Sequence, residues 1–267
     1  MATVKGPITL NGSLSNVSFY TRRGSDKVIA RTKGGASKDK IKSSPAFAGF
    51  RLQQAEWKGC TRFASMLRYS FGGLHRLADY NLTPVLNGIA KEVQKRDEVN
   101  EVGKRAIYFS RFRQQLDGFN LNRNYPFNTV WRISVTGTID RSAMTARVTV
   151  PYINTANDLQ VLQSLPYFRI IVSLGAVSDM EHTQYNYIPM VAELHGVSYQ
   201  HVSEWKAVGI TLDEQQIEIG IDPKLTKYLS ESVSLVLCVA VEFGKPSFTG
   251  DIQEVKYAGC SKVICCR

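Results

Sequence analysis

The chain has 267 residues, of which 43% are hydrophobic and 21% are charged, and its formal net charge is +10. A chain of this length and composition can bury an ordinary hydrophobic core without metal ions or crosslinks, which argues against intrinsic disorder. It has neither a signal-peptide-like start nor an apolar run of about 18 residues, so we expect a soluble, cytoplasmic protein without a membrane span.

The N-terminal segment is predicted to form a basic arm. Residues 8–20 and 27–32 are rich in β-prone side chains, and residues 21–26 between them have turn composition, which predicts a β-hairpin. Residues 33–44 are polar, basic and rich in Gly and Ser, which is typical of a flexible linker.

A long amphipathic helix is predicted from Pro45 to about Phe71. Ser44 followed by Pro45 is a typical helix start, and Gly72-Gly73 is a typical end. At 100° per residue, Arg51, Lys58 and Arg62 lie together on the polar face. The apolar side is predicted to contain Phe50, Trp57, Cys60, Phe63, Ala64, Leu67 and Phe71.

Two further helices are predicted before the β-rich half. Thr83-Pro84 repeats the start signal, and an apolar stripe follows it. A third helix is expected from about Val99 to Leu116, with its charged residues on a solvated face.

From residue 127 onward the apolar residues alternate, which is typical of strands. Seven or eight strands with turns between them predict a β-sandwich. The predicted strands are 130–139, 144–153, 167–177, 185–194, 208–212, 216–221, 233–243 and 254–258. We therefore expect an α+β protein with an arm and linker at 1–44, a helical region at 45–120 and a sandwich-like β-domain at 121–267.

No motif indicates catalysis, a metal site or a cofactor. The four histidines lack metal-ligand spacing, and neither a nucleophile motif nor a nucleotide-binding glycine motif is present. His195 and His201 flank a predicted loop, but no third ligand can be nominated. We expect no enzymatic activity, no cofactor and no small-molecule ligand.

The five cysteines form neither a disulfide framework nor a zinc pattern. Cys60 and Cys238 are expected to be buried, because they lie on an apolar helix face and in an apolar strand. Cys265 and Cys266 are expected to be exposed and open to oxidation.

Charge indicates where a partner would bind. Residues 1–76 contain 14 Lys and Arg against three acidic residues, whereas the remaining 191 residues have a net charge of −1. Such a basic segment attracts nucleic acid or an acidic protein surface. The candidate contact residues are Arg22, Arg23, Lys27, Arg31, Lys33, Lys38, Lys40, Lys42, Arg51, Lys58 and Arg62.

Three stretches resemble an uncharacterised bacterial family of hypothetical proteins, some of them associated with phage-like or mobile elements. They are GSLSNVSFYTRRGSDKVIARTKGGASKDKIKSSPAF, GFNLNRNYPF and VSLVLCVAVEFG. The resemblance covers nearly the whole chain. It implies one ancestral unit of hairpin, helices and β-domain and leaves the function of the family open.

The leading hypothesis is a non-enzymatic structural protein that self-assembles, or docks on a partner, through its basic arm in the cytoplasm or within a phage-like particle. The alternative is nucleic-acid binding by the same basic third. A sugar-binding sandwich is a further alternative, in which case Trp131, Trp205, Tyr185 and Tyr187 are the candidate stacking residues.

Overall fold

The computed structural model describes residues 2–4, 10–21, 27–32, 34–248 and 250–267. The chain divides into two compact units, Met1–Arg51 and Leu52–Arg267. The long helices lie in the N-terminal half and most of the strands lie in the C-terminal half, which confirms the predicted α+β class.

The first unit contains an antiparallel sheet with the strand order β1-β4-β3-β2. Its strands are β1 (Ala2–Val4), β2 (Gly12–Leu14), β3 (Val17–Thr21) and β4 (Val28–Thr32). The predicted hairpin is present as the β3–β4 pair, and most of its connection, residues 22–26, lies outside the described residues. The segment 8–20 was predicted as one run, but its described part contains two strands joined at Ser15 and Asn16, where Ser15 has φ 51°.

The predicted linker is wrong over part of its length. Residues Lys38–Ser43 form helix α1, whose first turn is capped because the Ser37 hydroxyl accepts a hydrogen bond from the Lys40 N–H. A 3₁₀ turn, Pro45–Phe47, then leads into the long helix α2, Ala48–Ser70. Pro45 occupies the predicted first position, while the Ser44 side chain makes no capping hydrogen bond with the described residues.

Helix α2 confirms most of the predicted apolar side. Cys60, Phe63 and Leu67 are buried, as is Phe71 just beyond the helix. The prediction is wrong for Phe50 and Trp57, which are 45% and 46% exposed. The Gly72-Gly73 end is confirmed: their φ angles of 62° and 77° are left-handed, a conformation that glycine adopts without steric cost.

The second helix, α3, spans Leu82–Lys95 and begins two residues earlier than predicted. Asn81 is its N-cap and accepts a hydrogen bond from the Thr83 N–H, so Thr83 lies inside the first turn. The predicted third helix is wrong. Only Phe109–Leu116 is helical there, as a 3₁₀ segment with a kink, after a turn in which Gly103 has φ 101°. Three further 3₁₀ turns are Leu74–Leu77, Leu162–Ser164 and Pro223–Tyr228.

Most of the predicted strands are confirmed, with shifted ends. The hairpin of β5 (Thr136–Asp140) and β6 (Thr145–Val150) is present. Residues Phe127–Val130 form the short helix α4, so the first strand of the β half starts later than predicted. The other elements are β7 (Ile153–Asn154), α5 (Thr155–Asp158), β8 (Tyr167–Ser178), β9 (Met180–His182), β10 (Tyr187–Pro189), β11 (Ser198–Val202), β12 (Lys206–Ala207), β13 (Thr211–Leu212), β14 (Gln215–Gly220), β15 (Val233–Pro246) and β16 (Ile252–Cys266). Strands β9, β11 and β12 were not predicted.

The central sheet is covered on both faces. Its order is β11-β8-β15-β16, with β12 also paired to β8, and nearly every residue of β8 and β15 is buried. Alternate residues such as Val172 and Leu237 pack with Val148 of the second sheet, β14-β6-β5, which confirms a sandwich-like arrangement. The opposite face, with Ile171 and Cys238, packs on α2 and α3.

Helix α2 approaches the sheet most closely at Gly175. A Cβ atom at this position would lie 2.0 Å from the Ser70 carbonyl oxygen, so the end of the helix lies directly on β8. Only a residue without a side chain fits this contact.

All five cysteines are buried free thiols. The prediction of burial is confirmed for Cys60 and Cys238. The prediction of exposure is wrong for Cys265 and Cys266, because β16 continues through both of them at the centre of the layered unit. Within the described residues, every helix is too short or too polar to cross a membrane.

Candidate basic binding surfaces

The predicted contact residues fall in two places. Lys58 and Arg62 lie on α2 in the second unit, and six others lie in the first unit. Those six are Lys27, Arg31, Lys38, Lys40, Lys42 and Arg51, whereas Arg22, Arg23 and Lys33 lie outside the described residues.

In the first unit, the sheet has one apolar face. Strand alternation and the register place Leu14, Val17, Phe19, Val28 and Ala30 on this face. Among the described side chains of the unit, Val28 alone is buried, and Leu14 is 72% exposed. Val17, Phe19 and Ala30 are half-buried, so the described part of the unit covers this face only in part.

Strand β2 is an edge of this sheet and pairs only with β3 among the described strands. Leu14 and Val17 close a two-residue turn, so this pair exchanges hydrogen bonds and the next pair, Ser13 and Ser18, does not. The N–H and C=O groups of Ser13 therefore point away from β3. An outward-facing edge of this kind can accept a further strand.

The basic side chains of the first unit differ in their roles. Lys27, Arg31, Lys38, Lys40 and Lys42 are exposed. Arg51 is partly buried, and its Nη1 donates hydrogen bonds to the carbonyl oxygens of Ile41 and Ser44 at 2.8 and 2.9 Å. Because these bonds hold α1 against the start of α2, Arg51 stabilises the unit itself.

In the second unit, Lys58 and Arg62 line a groove with a volume of about 320 Å³. One wall is α2 and the other is the β9–β10 hairpin. Its lining residues are Ala55, Lys58, Thr61, Arg62, His182, Tyr185, Asn186 and Tyr187. This set contains two cationic side chains and no carboxylate, so the groove favours an anion.

The hairpin is fixed to α2 by Tyr187. Its ring lies against Gly59, where a Cβ atom would be 2.6 Å from the ring, and its backbone carbonyl accepts a short hydrogen bond from Arg62 Nη1. The Tyr187 hydroxyl donates to the Arg105 carbonyl oxygen at 2.8 Å and accepts from Gln94 Nε2 at 3.1 Å. The groove walls are therefore held in place by buried contacts.

Beneath the hairpin lies a buried ionic cluster centred on Glu56. Its carboxylate accepts hydrogen bonds from Arg105 at 2.6 and 2.7 Å, from Lys91 at 2.6 Å and from the Gly103 N–H at 2.9 Å. Burial raises the pKa of the Glu56 carboxyl, but the hydrogen bonds from Arg105, Lys91 and Gly103 outweigh burial and lower the pKa to about 2. Glu56 therefore stays ionised, and its charge is neutralised by Arg105 and Lys91.

Sequence reasoning missed this cluster. Arg105 was assigned to the solvated face of a third helix, but that helix is absent and Arg105 turns inward to Glu56. The sequence feature that could have indicated the cluster is Glu56 itself, an acidic residue on the predicted apolar side of α2 one turn before Cys60. A buried carboxylate requires a cation nearby.

The other predicted candidates are dispersed. Trp131 and Tyr187 are buried, and Arg169 lies over the Trp205 ring at 4.4 Å. Tyr185, by contrast, is 80% exposed at the tip of the β9–β10 hairpin. His195 is half-buried, with Nδ1 accepting from the Ser178 N–H, while His201 is exposed.

Comparison with known proteins gives no match to a family model, to a curated protein or to a solved structure. The resemblance to the bacterial family therefore stays a prediction.

Proposed function

We propose that this protein is a non-enzymatic structural protein that self-assembles in the cytoplasm, its N-terminal arm docking on the body of a second copy. The observation that carries the proposal is the sheet of the first unit, with its partly covered apolar face and its edge strand β2, which pairs only with β3 among the described strands. A sheet whose apolar face is only partly covered gains stability by packing that face against another surface.

Charge supports a second copy as the occupant. Residues 1–51 contain ten Lys and Arg against two Asp, a net charge of +8, whereas residues 181–222 contain seven acidic residues against Lys206, a net charge of −6. Six of those carboxylates are exposed: Glu181, Glu193, Glu204, Asp213, Glu214 and Glu218. The second unit as a whole has a net charge of +2, but its acidic segment 181–222 is opposite in charge to the first unit. Contact between the basic unit of one copy and this segment of another would be head-to-tail, which produces rings or filaments.

The test is the mass in solution of the full-length protein, freed of nucleic acid by nuclease and measured by light scattering at low and high salt. We expect assemblies at low salt that shrink as salt screens the charges. Ser13→Pro removes the outward N–H of the edge strand and is expected to shift the protein toward monomer, whereas Ser13→Ala retains that N–H and is expected to assemble normally.

A monomeric full-length protein at low salt, or equal masses for the two Ser13 variants, would overturn the proposal. Assemblies that disappear on nuclease treatment would favour the alternative, nucleic-acid binding by the basic arm. The exposed Lys38, Lys40 and Lys42 on the single short helix α1 are the observation that favours this alternative.

A further inference from the structure

The groove between α2 and the β9–β10 hairpin has walls that are held by buried contacts and two side chains, Tyr185 and Lys58, that make no hydrogen bond, ion pair or ring contact within the described residues. Tyr185 is 80% exposed, and its side chain makes no hydrogen bond or ring contact with the described residues. The Lys58 ammonium likewise has no hydrogen bond or ion pair within the described residues. Neither side chain is used by the fold, so both are available to a ligand.

The tip of the hairpin is closed by hydrogen bonds although it is exposed. Thr183 closes the turn, because its N–H and its hydroxyl both donate to the Asn186 carbonyl oxygen at 2.8 Å. His182 meets the Tyr187 ring edge to face, with the ring centres 4.9 Å apart. Tyr185 therefore lines the groove on a turn that hydrogen bonds close on both sides of it.

The electrostatics of the groove favour a phosphate. Lys58 and Arg62 line it together, and Arg62 uses only Nη1 in its bond to Tyr187. Glu56, the buried carboxylate on the same helix, is already paired with Arg105 and Lys91 and does not offset these cations. Cations beside an exposed aromatic ring are the arrangement that holds a nucleotide, with the phosphate on the cations and the base on the ring.

We infer that this groove binds single-stranded nucleic acid, one nucleotide at a time, with the phosphate on Lys58 and Arg62 and the base stacked on Tyr185. Its volume of about 320 Å³ is at the small end of ligand sites, which holds one nucleotide unit rather than several. Stacking on one tyrosine reads no base edge, so the binding is independent of sequence.

The experiment is fluorescence anisotropy of the full-length protein with a labelled oligothymidylate, titrated at several salt concentrations. Tyr185→Ala is expected to weaken binding about tenfold and to leave the salt dependence unchanged, because it removes stacking alone. Lys58→Ala is expected to weaken binding and to lower the slope of log affinity against log salt by about 0.7, because one phosphate contact is lost.

Two matched variants test whether the effect belongs to the groove. Tyr152→Ala removes another exposed tyrosine, and Lys224→Ala removes another exposed lysine. Both are expected to bind as the unmodified protein does. Equal losses in the controls, or no loss in Tyr185→Ala, would overturn the inference, as would competition by inorganic phosphate that matches competition by thymidine monophosphate. The readout is affinity rather than mass, so its failure is distinguishable from failure of the assembly proposal.

Discussion

The Glu56 carboxylate joins parts of the chain that are distant in sequence. It accepts hydrogen bonds from Arg105 and the Gly103 N–H, which lie in the irregular segment after α3, and from Lys91, which lies on α3 itself. Gln94 adds hydrogen bonds to the Glu56 and Arg105 carbonyl oxygens. These bonds hold an irregular segment in one conformation where no helix or strand would do so.

Replacing Glu56 by Gln is expected to destabilise the protein by about 3 kcal/mol at pH 7, because it leaves two partly buried cations without their counter-charge. The folded-state pKa of about 2 lies below the ordinary value of 4.5, so the stabilisation is present above pH 4.5 and is lost as the pH falls toward 2. Denaturant unfolding of both proteins across this pH range is the measurement.

The control is Glu101→Gln, since Glu101 is exposed and pairs only with exposed Lys104 at 3.4 Å. Its effect is expected to stay within about 0.5 kcal/mol at every pH. A Glu56→Gln effect that does not change with pH would mean that shape rather than charge holds the cluster.

At the scale of elements, two helical glycines have opposite surroundings. Gly59 of α2 faces the Tyr187 ring, whereas Gly88 of α3 has open space where a Cβ atom would lie. Alanine raises the helix propensity equally at both positions. Only at Gly59 does the added methyl group collide with a packed side chain.

Gly88→Ala is therefore expected to stabilise the protein by about 0.8 kcal/mol. Gly59→Ala is expected to destabilise it by about 1–3 kcal/mol, because the methyl group overpacks against Tyr187 and displaces the hairpin. Thermal unfolding of the two variants is the measurement. Stabilisation by both would show that the hairpin moves aside without cost.

The elements that could be predicted from the sequence are those whose local pattern matches their surroundings. The apolar runs of β8 and β15 predicted strands because strands buried on both faces read as continuous apolar segments. Strand β11, SYQHV, was missed because it is mostly exposed and polar, and it is held in place by pairing with β8. The prediction of the third helix was wrong because Gly103 and the Glu56 cluster impose an irregular backbone conformation that no local pattern encodes.

The candidate surfaces were predictable only in part, for the same reason. The charge of Lys58 and Arg62 and their shared helix face follow from helical periodicity. Their proximity to Tyr185 does not, because it depends on the Tyr187 ring reaching Gly59 across more than a hundred residues of chain. Contacts of this kind are set by tertiary packing alone.

At the scale of the whole molecule, the two units differ in their cores. Both hydrophobic cores of the described chain consist of residues after 51. The first unit, by comparison, buries one described side chain. We therefore expect the second unit to fold without the arm.

A protein that begins at Ser44 is expected to unfold cooperatively, with a free energy of unfolding within about 1 kcal/mol of the full-length value measured under high-salt conditions. It is also expected to remain monomeric at low salt. Denaturant unfolding measures the free energy of unfolding, and light scattering measures whether the truncated protein is monomeric. A truncated protein that fails to unfold cooperatively would mean that the arm completes the fold of the body.

The adjacent cysteines at the end of β16 face opposite cores. Cys265 belongs to the core between the two sheets, whereas Cys266 belongs to the core beneath the helices. Because strand side chains alternate, two neighbouring thiols report on two different layers. Their alkylation rates under native conditions therefore measure the frequency of two local opening events within one peptide. Alkylation of Cys265 reports opening between the two sheets, and alkylation of Cys266 reports opening between the helices and the central sheet.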